Sequence, residues 1–171
     1  VAAGVLKFQD AVVLVHKRGA FMQEAVPVGQ GGMAAIIGLD RNVIIETCEK
    51  VSAEAEVQAV NFNCPGQVVI AGSTAGVEKA VKLLSEAGAK KAVILPVSAP
   101  FHSSLMKPAA AKLAVELDKV TISDPAFPVV ANVTGTLLTK AADIKESLVK
   151  QAASPVKWED CVAAMKEFGA D

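Results

Sequence analysis

Tyrosine is absent from this chain of 171 residues, tryptophan occurs once, and aromatic side chains make up only 4% of it. Such a chain must build its interior from small and branched aliphatics, which suits closely packed α/β layers. Neither sign of charge is in excess: 17 Lys and Arg stand against 18 Asp and Glu, with no long block of one sign. Nucleic acid is therefore an unexpected partner. The three cysteines, Cys48, Cys64 and Cys161, are odd in number, far apart and without CxxC spacing. That pattern argues against a disulfide framework and a zinc site, and a reducing compartment is the simplest inference. No apolar run is long enough to cross a bilayer, although 52% of the residues are hydrophobic and mean hydropathy is +0.41.

What is present is enough for one ordinary domain or two small ones with a sizeable core. Residues 8–25 have a helical pattern that Asp10 is placed to cap. Steps of three, four and seven from Arg18 reach Ala11, Leu14, Val15, Phe21, Met22 and Ala25, so a guanidinium sits inside an apolar stripe. It must find an anion or reach water; structural snorkelling and ligand binding both satisfy that requirement. His16 lies off the stripe and is expected at the surface. A Pro-Val-Gly-Gln-Gly-Gly break at 27–32 is followed by a compact alternation. It reads as strand 33–37, helix 40–52, strand 57–62, turn 63–66, strand 67–71, helix 73–87 and strand 92–95. That βαββαβ order is the split arrangement of a ferredoxin-like domain, inserted between residues 1–27 and 96–171 of a larger α/β unit. Beyond it come a helix to about Asp118, a strand at 128–131, a turn at 132–135, and helices over 142–151 and 155–168.

Between the two units runs Leu-Pro-Val-Ser-Ala-Pro-Phe-His-Ser-Ser-Leu-Met, residues 95–106, a proline-bounded loop at the end of a strand. Such loops are where α/β proteins place their chemistry, and imidazole is suited to proton transfer near neutral pH. His102 is a candidate base; a helix-capping or solvent-facing histidine is the alternative. Two decoys are set aside. Gly72-Ser73-Thr74-Ala75-Gly76 is G-S-x-x-G rather than the G-x-S-x-G of a nucleophile elbow, and Ser73 is expected to cap a helix. The cluster Gly29 to Gly32 lacks phosphate-loop spacing.

Longer motifs are more specific. Lys17-Arg18-Gly19-Ala20-Phe21-Met22-Gln23-Glu24-Ala25, Asn61-Phe62-Asn63-Cys64-Pro65-Gly66-Gln67-Val68-Val69-Ile70-Ala71-Gly72, Pro100-Phe101-His102-Ser103-Ser104-Leu105-Met106 and Pro155-Val156-Lys157-Trp158 follow in register. In order and spacing the chain resembles the malonyl-CoA:acyl carrier protein transacylase family over nearly its whole length. The resemblance implies an α/β-hydrolase-like large domain, 1–27 and 96–171, with a ferredoxin-like small domain inserted at 28–95. It implies malonyl transfer from CoA to the phosphopantetheine thiol of acyl carrier protein through a serine ester, in cytoplasmic fatty acid synthesis, with no metal or redox cofactor. Membrane and nucleic acid are not expected as partners.

By the same resemblance, His102 matches the catalytic histidine and Arg18 the arginine that grips the malonyl carboxylate. Gln151 matches the position whose backbone carbonyl orients the histidine, which would leave its side-chain identity of little consequence. Phe101 resembles the bulky residue that crowds an α-methyl group, Met22 is expected to line the acyl pocket, and Asn61 and Asn63 lie on the segment facing the CoA arm. The family's G-H-S-x-G serine would fall upstream of Val1, so this chain alone is expected to be inactive in acyl transfer. Two alternatives stand beside this reading: an acyltransferase domain of a polyketide synthase, and a ferredoxin-like binding module without catalysis.

Overall fold

The computed structural model describes residues 1–97 and 99–170; Ser98, within the His102 loop, and the terminal Asp171 lie outside the described residues. The first helix, α1 (Phe8–Ala25), leads into β1 (Gly31–Ile37), α2 (Arg41–Ser52), β2 (Val57–Cys64), β3 (Gln67–Ser73), α3 (Thr74–Glu86) and β4 (Lys91–Ile94). These strands form one sheet in the order β2-β3-β1-β4, with every neighbouring pair antiparallel.

The two central strands, β1 and β3, are covered on both faces, which is why they read as nearly unbroken apolar runs. Ala34 and Ile36 of β1 and Val68 and Ile70 of β3 meet Ile44, Cys48 and Val51 of α2 and Val77, Ala80 and Leu84 of α3. Ile36, Ile44, Ile70 and Leu84 are completely buried, each contributing about 1.5–3 kcal/mol. The opposite face presents Met33, Val60, Val69 and Ala71, against which Leu95 and Phe101 pack. The sheet is thus the floor beneath the His102 loop. Gly31 permits that contact, because a Cβ there would overlap the ring of the fully buried Pro100.

Both helices over the sheet have side-chain caps. Asp40 accepts from the Asn42 amide at 2.8 Å and Ser73 from the Gly76 amide at 3.1 Å, as expected of Ser73 from sequence.

After a 3-10 turn at Ser104–Met106 come α4 (Lys107–Leu117), β5 (Val129–Ala131), β6 (Thr136–Leu138), α5 (Ala141–Gln151) and α6 (Trp158–Phe168). Met22 and Val26 at the end of α1 bury against Met106 and Ala109, while Leu14 meets Leu113 and Leu117 of α4.

Four local expectations change. Asp10 lies inside the first turn of α1 rather than at its cap; Lys7 holds the cap position without a side-chain bond. The strand Thr136–Leu138 was not anticipated, being too short to show alternation; it pairs with β5 across the 132–135 turn. The last helix begins at Trp158, because the residues before it are used otherwise: the Val156 amide donates to the Val60 carbonyl at 2.7 Å and the Phe62 amide to the Val156 carbonyl at 2.9 Å. This parallel bridge covers the outer edge of β2. Finally, Val15 is 68% exposed, so the apolar stripe around Arg18 is narrower than its spacing suggests.

Candidate active site

Arg18 lies on the third turn of α1, on the boundary between the face that packs on α4 and open solvent, and its side chain is half-buried. Desolvation pulls its pKa below the ordinary guanidinium value, yet a guanidinium remains charged under any physiological condition. Among the described residues no carboxylate pairs with it. A partly desolvated cation without a counter-ion is a receptor for an anion.

His102 is held by two constraints. Its backbone has φ of 62°, the only left-handed non-glycine residue among those described. That conformation costs an L-residue about 1–2 kcal/mol and persists only where its surroundings enforce it. The enforcement is visible in the next residue: the fully buried Ser103 hydroxyl donates to the Pro100 carbonyl at 2.7 Å. The imidazole Nδ1 then lies 2.9 Å from the Gln151 carbonyl oxygen. A carbonyl can only accept, so Nδ1 carries the proton and Nε2 presents a bare lone pair. Burial, and after it the Arg18 charge, lowers the His102 pKa against the opposing hydrogen bonds from the Gln151 and Ser154 backbone. The ring is therefore neutral at pH 7, with Nε2 ready to take a proton.

Arg18, Gly19, Met22, Met33, Asn61, Phe101 and His102 line one cavity of about 390 Å³. Of the residues singled out from sequence, Arg18, Met22, Phe101, Asn61 and His102 thus converge. Gln151 reaches the site through its carbonyl. Asn63 is half-buried farther along β2 and does not line the cavity. Met33 was missed: its alternation on β1 places it opposite Ala34 and Ile36, but only the loop folding over that face makes it a cavity wall. The Gln151 side chain was also undervalued. Its Nε2 donates to the Ser154 carbonyl at 3.1 Å and the Pro155 carbonyl at 3.3 Å, closing the turn from which its own carbonyl meets His102. Among the described residues no three His, Cys, Asp or Glu side chains converge as metal ligands. No helix there is long and apolar enough to cross a membrane.

A neutral base and an unpaired cation in one apolar-walled cavity can fix an anionic substrate while a proton is withdrawn from a nucleophile beside it. The chain itself contains no G-x-S-x-G sequence.

Over nearly its whole length the chain is similar to known proteins. The malonyl CoA-acyl carrier protein transacylase of Salmonella typhimurium is 54% identical over 171 residues, covering all of this chain and 55% of that protein. The crystal structure of an acyl-carrier-protein S-malonyltransferase from Burkholderia pseudomallei superposes with a TM-score of 0.96 at 52% identity, over 99% of this chain and 55% of its own. A type II PKS acyl-carrier protein in complex with its malonyl-transacylase matches with a TM-score of 0.95 at 48% identity, over 98% and 53%. The chain spans about half the length of the curated relatives it matches. The acyl transferase domain profile extends over residues 1–170, taking in α1 with Arg18, the whole four-stranded sheet and the His102 loop. On that breadth of match, this chain belongs to the acyl transferase domain family.

Proposed function

We propose that this chain supplies the base and the carboxylate clamp of a malonyl-CoA:acyl carrier protein transacylase of fatty acid synthesis. The observation that carries the reading is the pairing of an uncompensated Arg18 with a Nδ1-protonated His102 in one cavity. Arg18 binds the malonyl carboxylate through two parallel N–H···O bonds. His102 Nε2 takes the proton of a serine hydroxyl contributed from outside these residues as it attacks the thioester carbonyl. It then returns that proton to the departing CoA thiol, and the reverse sequence delivers malonyl to the carrier-protein thiol. Gln151, through its carbonyl, stabilises the imidazolium formed in between. Met22 and Phe101 wall the acyl group, and Asn61 and Asn63 face the CoA arm. No metal or redox cofactor enters this chemistry, and the setting is cytoplasmic.

The same reading divides the chain into an α/β-hydrolase-like part, 1–27 and 96–171, and a ferredoxin-like insert, 28–95. The strand order β2-β3-β1-β4 with two helices on one face supports the insert. Similarity to a malonyl-transacylase that serves a type II PKS carrier favours one second reading, transfer to a polyketide carrier protein.

The test is intact mass after brief exposure to malonyl-CoA of a protein joining this chain to a G-H-S-x-G segment. Gain of one malonyl group, discharged by holo acyl carrier protein, is expected. No adduct with intact folding would sink the reading. Discharge by a polyketide carrier alone would select the second.

A further inference from the structure

The G-S-x-x-G sequence at 72–76 caps α3, but it does more than end a strand. A Cβ at Gly72 or at Gly76 would overlap the Glu56 carbonyl oxygen, so both glycines are needed for the backbone of Glu56 to lie where it does. The same carbonyl accepts from the Ser73 amide at 2.8 Å and the Ser73 hydroxyl at 3.2 Å. One residue on, Val57 is fixed at both ends by Ser52, whose hydroxyl donates to the Val57 carbonyl at 2.6 Å and accepts from its amide at 3.1 Å. Glu56 and Val57, where β2 begins, are thus held by several contacts each, and no part of the chemistry above explains why they should be.

The side chains on either side of Val57 supply a reason. The Glu56 carboxylate accepts from the Ser104 hydroxyl, and Gln58 Oε1 accepts from the Ser104 amide at 2.8 Å. Ser104 is two residues beyond His102, just past the left-handed backbone that the histidine must sustain. Ser103 ties the loop down on one side, to Pro100. Ser104 ties it on the other, to the start of β2 at the far edge of the four-stranded sheet.

We propose that Glu56 and Gln58 are positioning residues: anchored by the Gly72-Ser73-x-x-Gly76 cap and by Ser52, they grip Ser104 from two directions and hold the His102 backbone left-handed, so that Nδ1 meets the Gln151 carbonyl. Neither side chain lines the cavity with Arg18 and His102, so each acts through Ser104 rather than on substrate. The grip also makes the geometry of the base depend on how the sheet sits against the loop. The importance of this geometry rests on the reading of His102 as the base, but its existence does not.

The test reads the imidazole directly in the 171-residue chain, where nitrogen-15 NMR distinguishes Nδ1–H from Nε2–H and only His16 shares the spectral region. Gln58→Ala combined with Ser104→Ala removes both legs without disturbing the buried backbone of Glu56. The expected result is a folded chain in which the Nδ1–H tautomer gives way to the Nε2–H form that free imidazole favours. The His102 titration midpoint should move up as the ring gains water, with the His16 resonance as internal reference. Gln58→Glu and Ser104→Thr, which keep an acceptor and a hydroxyl in place, should restore the original tautomer and midpoint. A folded double variant that keeps both overturns the proposal. Should that variant unfold, Ser104→Ala alone decides it, since this substitution lies outside the sheet: an unchanged tautomer and midpoint overturn the proposal, and a partial shift supports it. No substrate is involved, so absence of malonyl transfer would sink the function without touching this result.

Discussion

The Gln151 carbonyl accepts from His102 Nδ1 at 2.9 Å while the Gln151 side chain holds the carbonyls of Ser154 and Pro155 at 3.1 and 3.3 Å. One residue both orients the His102 imidazole and folds the turn that presents it.

That double use makes Gln151 sensitive to truncation. Gln151→Ala keeps the carbonyl but frees the turn. Loss of these side-chain bonds costs about 1 kcal/mol of stability. A misplaced base lowers kcat on the order of tenfold or more in a protein completed with the serine segment. Gln151→Glu should recover little, since a carboxylate cannot donate to two carbonyls. Equal kcat for Gln151→Ala and the parent would show the side chain to be idle.

Arg18 should be dispensable for folding and indispensable for malonyl. Arg18→Ala removes a half-buried cation with no carboxylate partner among the described residues, so thermal stability should hold or rise slightly. Malonyl loading should fall by on the order of a hundredfold or more, with acetyl-CoA, whose acyl group has no free carboxylate, much less affected. Arg18→Lys should recover only part of this, because an ammonium cannot make the paired bonds of a guanidinium. An equal loss for both substrates would mean that Arg18 does not recognise the carboxylate.

Phe101 packs against two buried clusters, one holding Met33 and Val60 and the other Met22 and Met106, while lining the cavity. Phe101→Ala should narrow discrimination between malonyl-CoA and methylmalonyl-CoA by about 1–3 kcal/mol, roughly 10- to 200-fold in the ratio of kcat/KM. It should also cost stability, about 3 kcal/mol or less for a side chain only partly buried. An unchanged ratio would place the selectivity elsewhere.

The pH dependence has a definite sign. Burial and the Arg18 charge lower the His102 pKa, so the imidazole stays neutral below its ordinary range. The acid limb of kcat/KM should therefore fall at lower pH than for an unperturbed histidine near 6.5. Arg18→Ala removes one lowering influence and should move that limb up. For stability, the unfolded chain binds the His102 proton first. Its contribution is complete above the unfolded value and is lost as pH falls from there to the folded value. Urea unfolding of the parent and His102→Gln across this window should show a steeper decline in the parent. Parallel profiles would exclude the effect.

Gly72 offers a test by stability alone. Gly72→Ala forces the new methyl into the Glu56 carbonyl and the Val57 backbone, atoms that cannot step aside as a flexible side chain could. The loss should be about 1–3 kcal/mol, against little change for Gly32→Ala, where no atom stands within 4 Å. Calorimetry on the chain checks both, and equal melting temperatures would mean that the backbone gives way.

Much of this was legible in the sequence because it rests on local rules. Apolar runs bounded by Gly, Pro and Asn marked the four strands; Ser73 preceded a helical pattern and caps it; a cation in an apolar stripe marked Arg18 as needing an anion or a path to water. Sequence motifs in register marked His102, Phe101 and Gln151. The fold then decided what no spacing encodes. The left-handed backbone at His102 sits in a loop tied down by Ser103 and Ser104, the proton on Nδ1 follows from a carbonyl 49 positions away, and the neutral state of the ring follows from burial against that carbonyl's pull. Val15 lost its place in the core because, among the described residues, no element covers that side of α1. Val156 became part of a sheet edge instead of a helix because Val60 and Phe62 had unpaired backbone groups to satisfy. Periodicity determines which face of an element is apolar, whereas desolvation and hydrogen-bond partners depend on what the rest of the chain places against that face. The identities of the candidate base and of the cation were therefore written in the sequence, and their protonation and exposure were set only by tertiary structure.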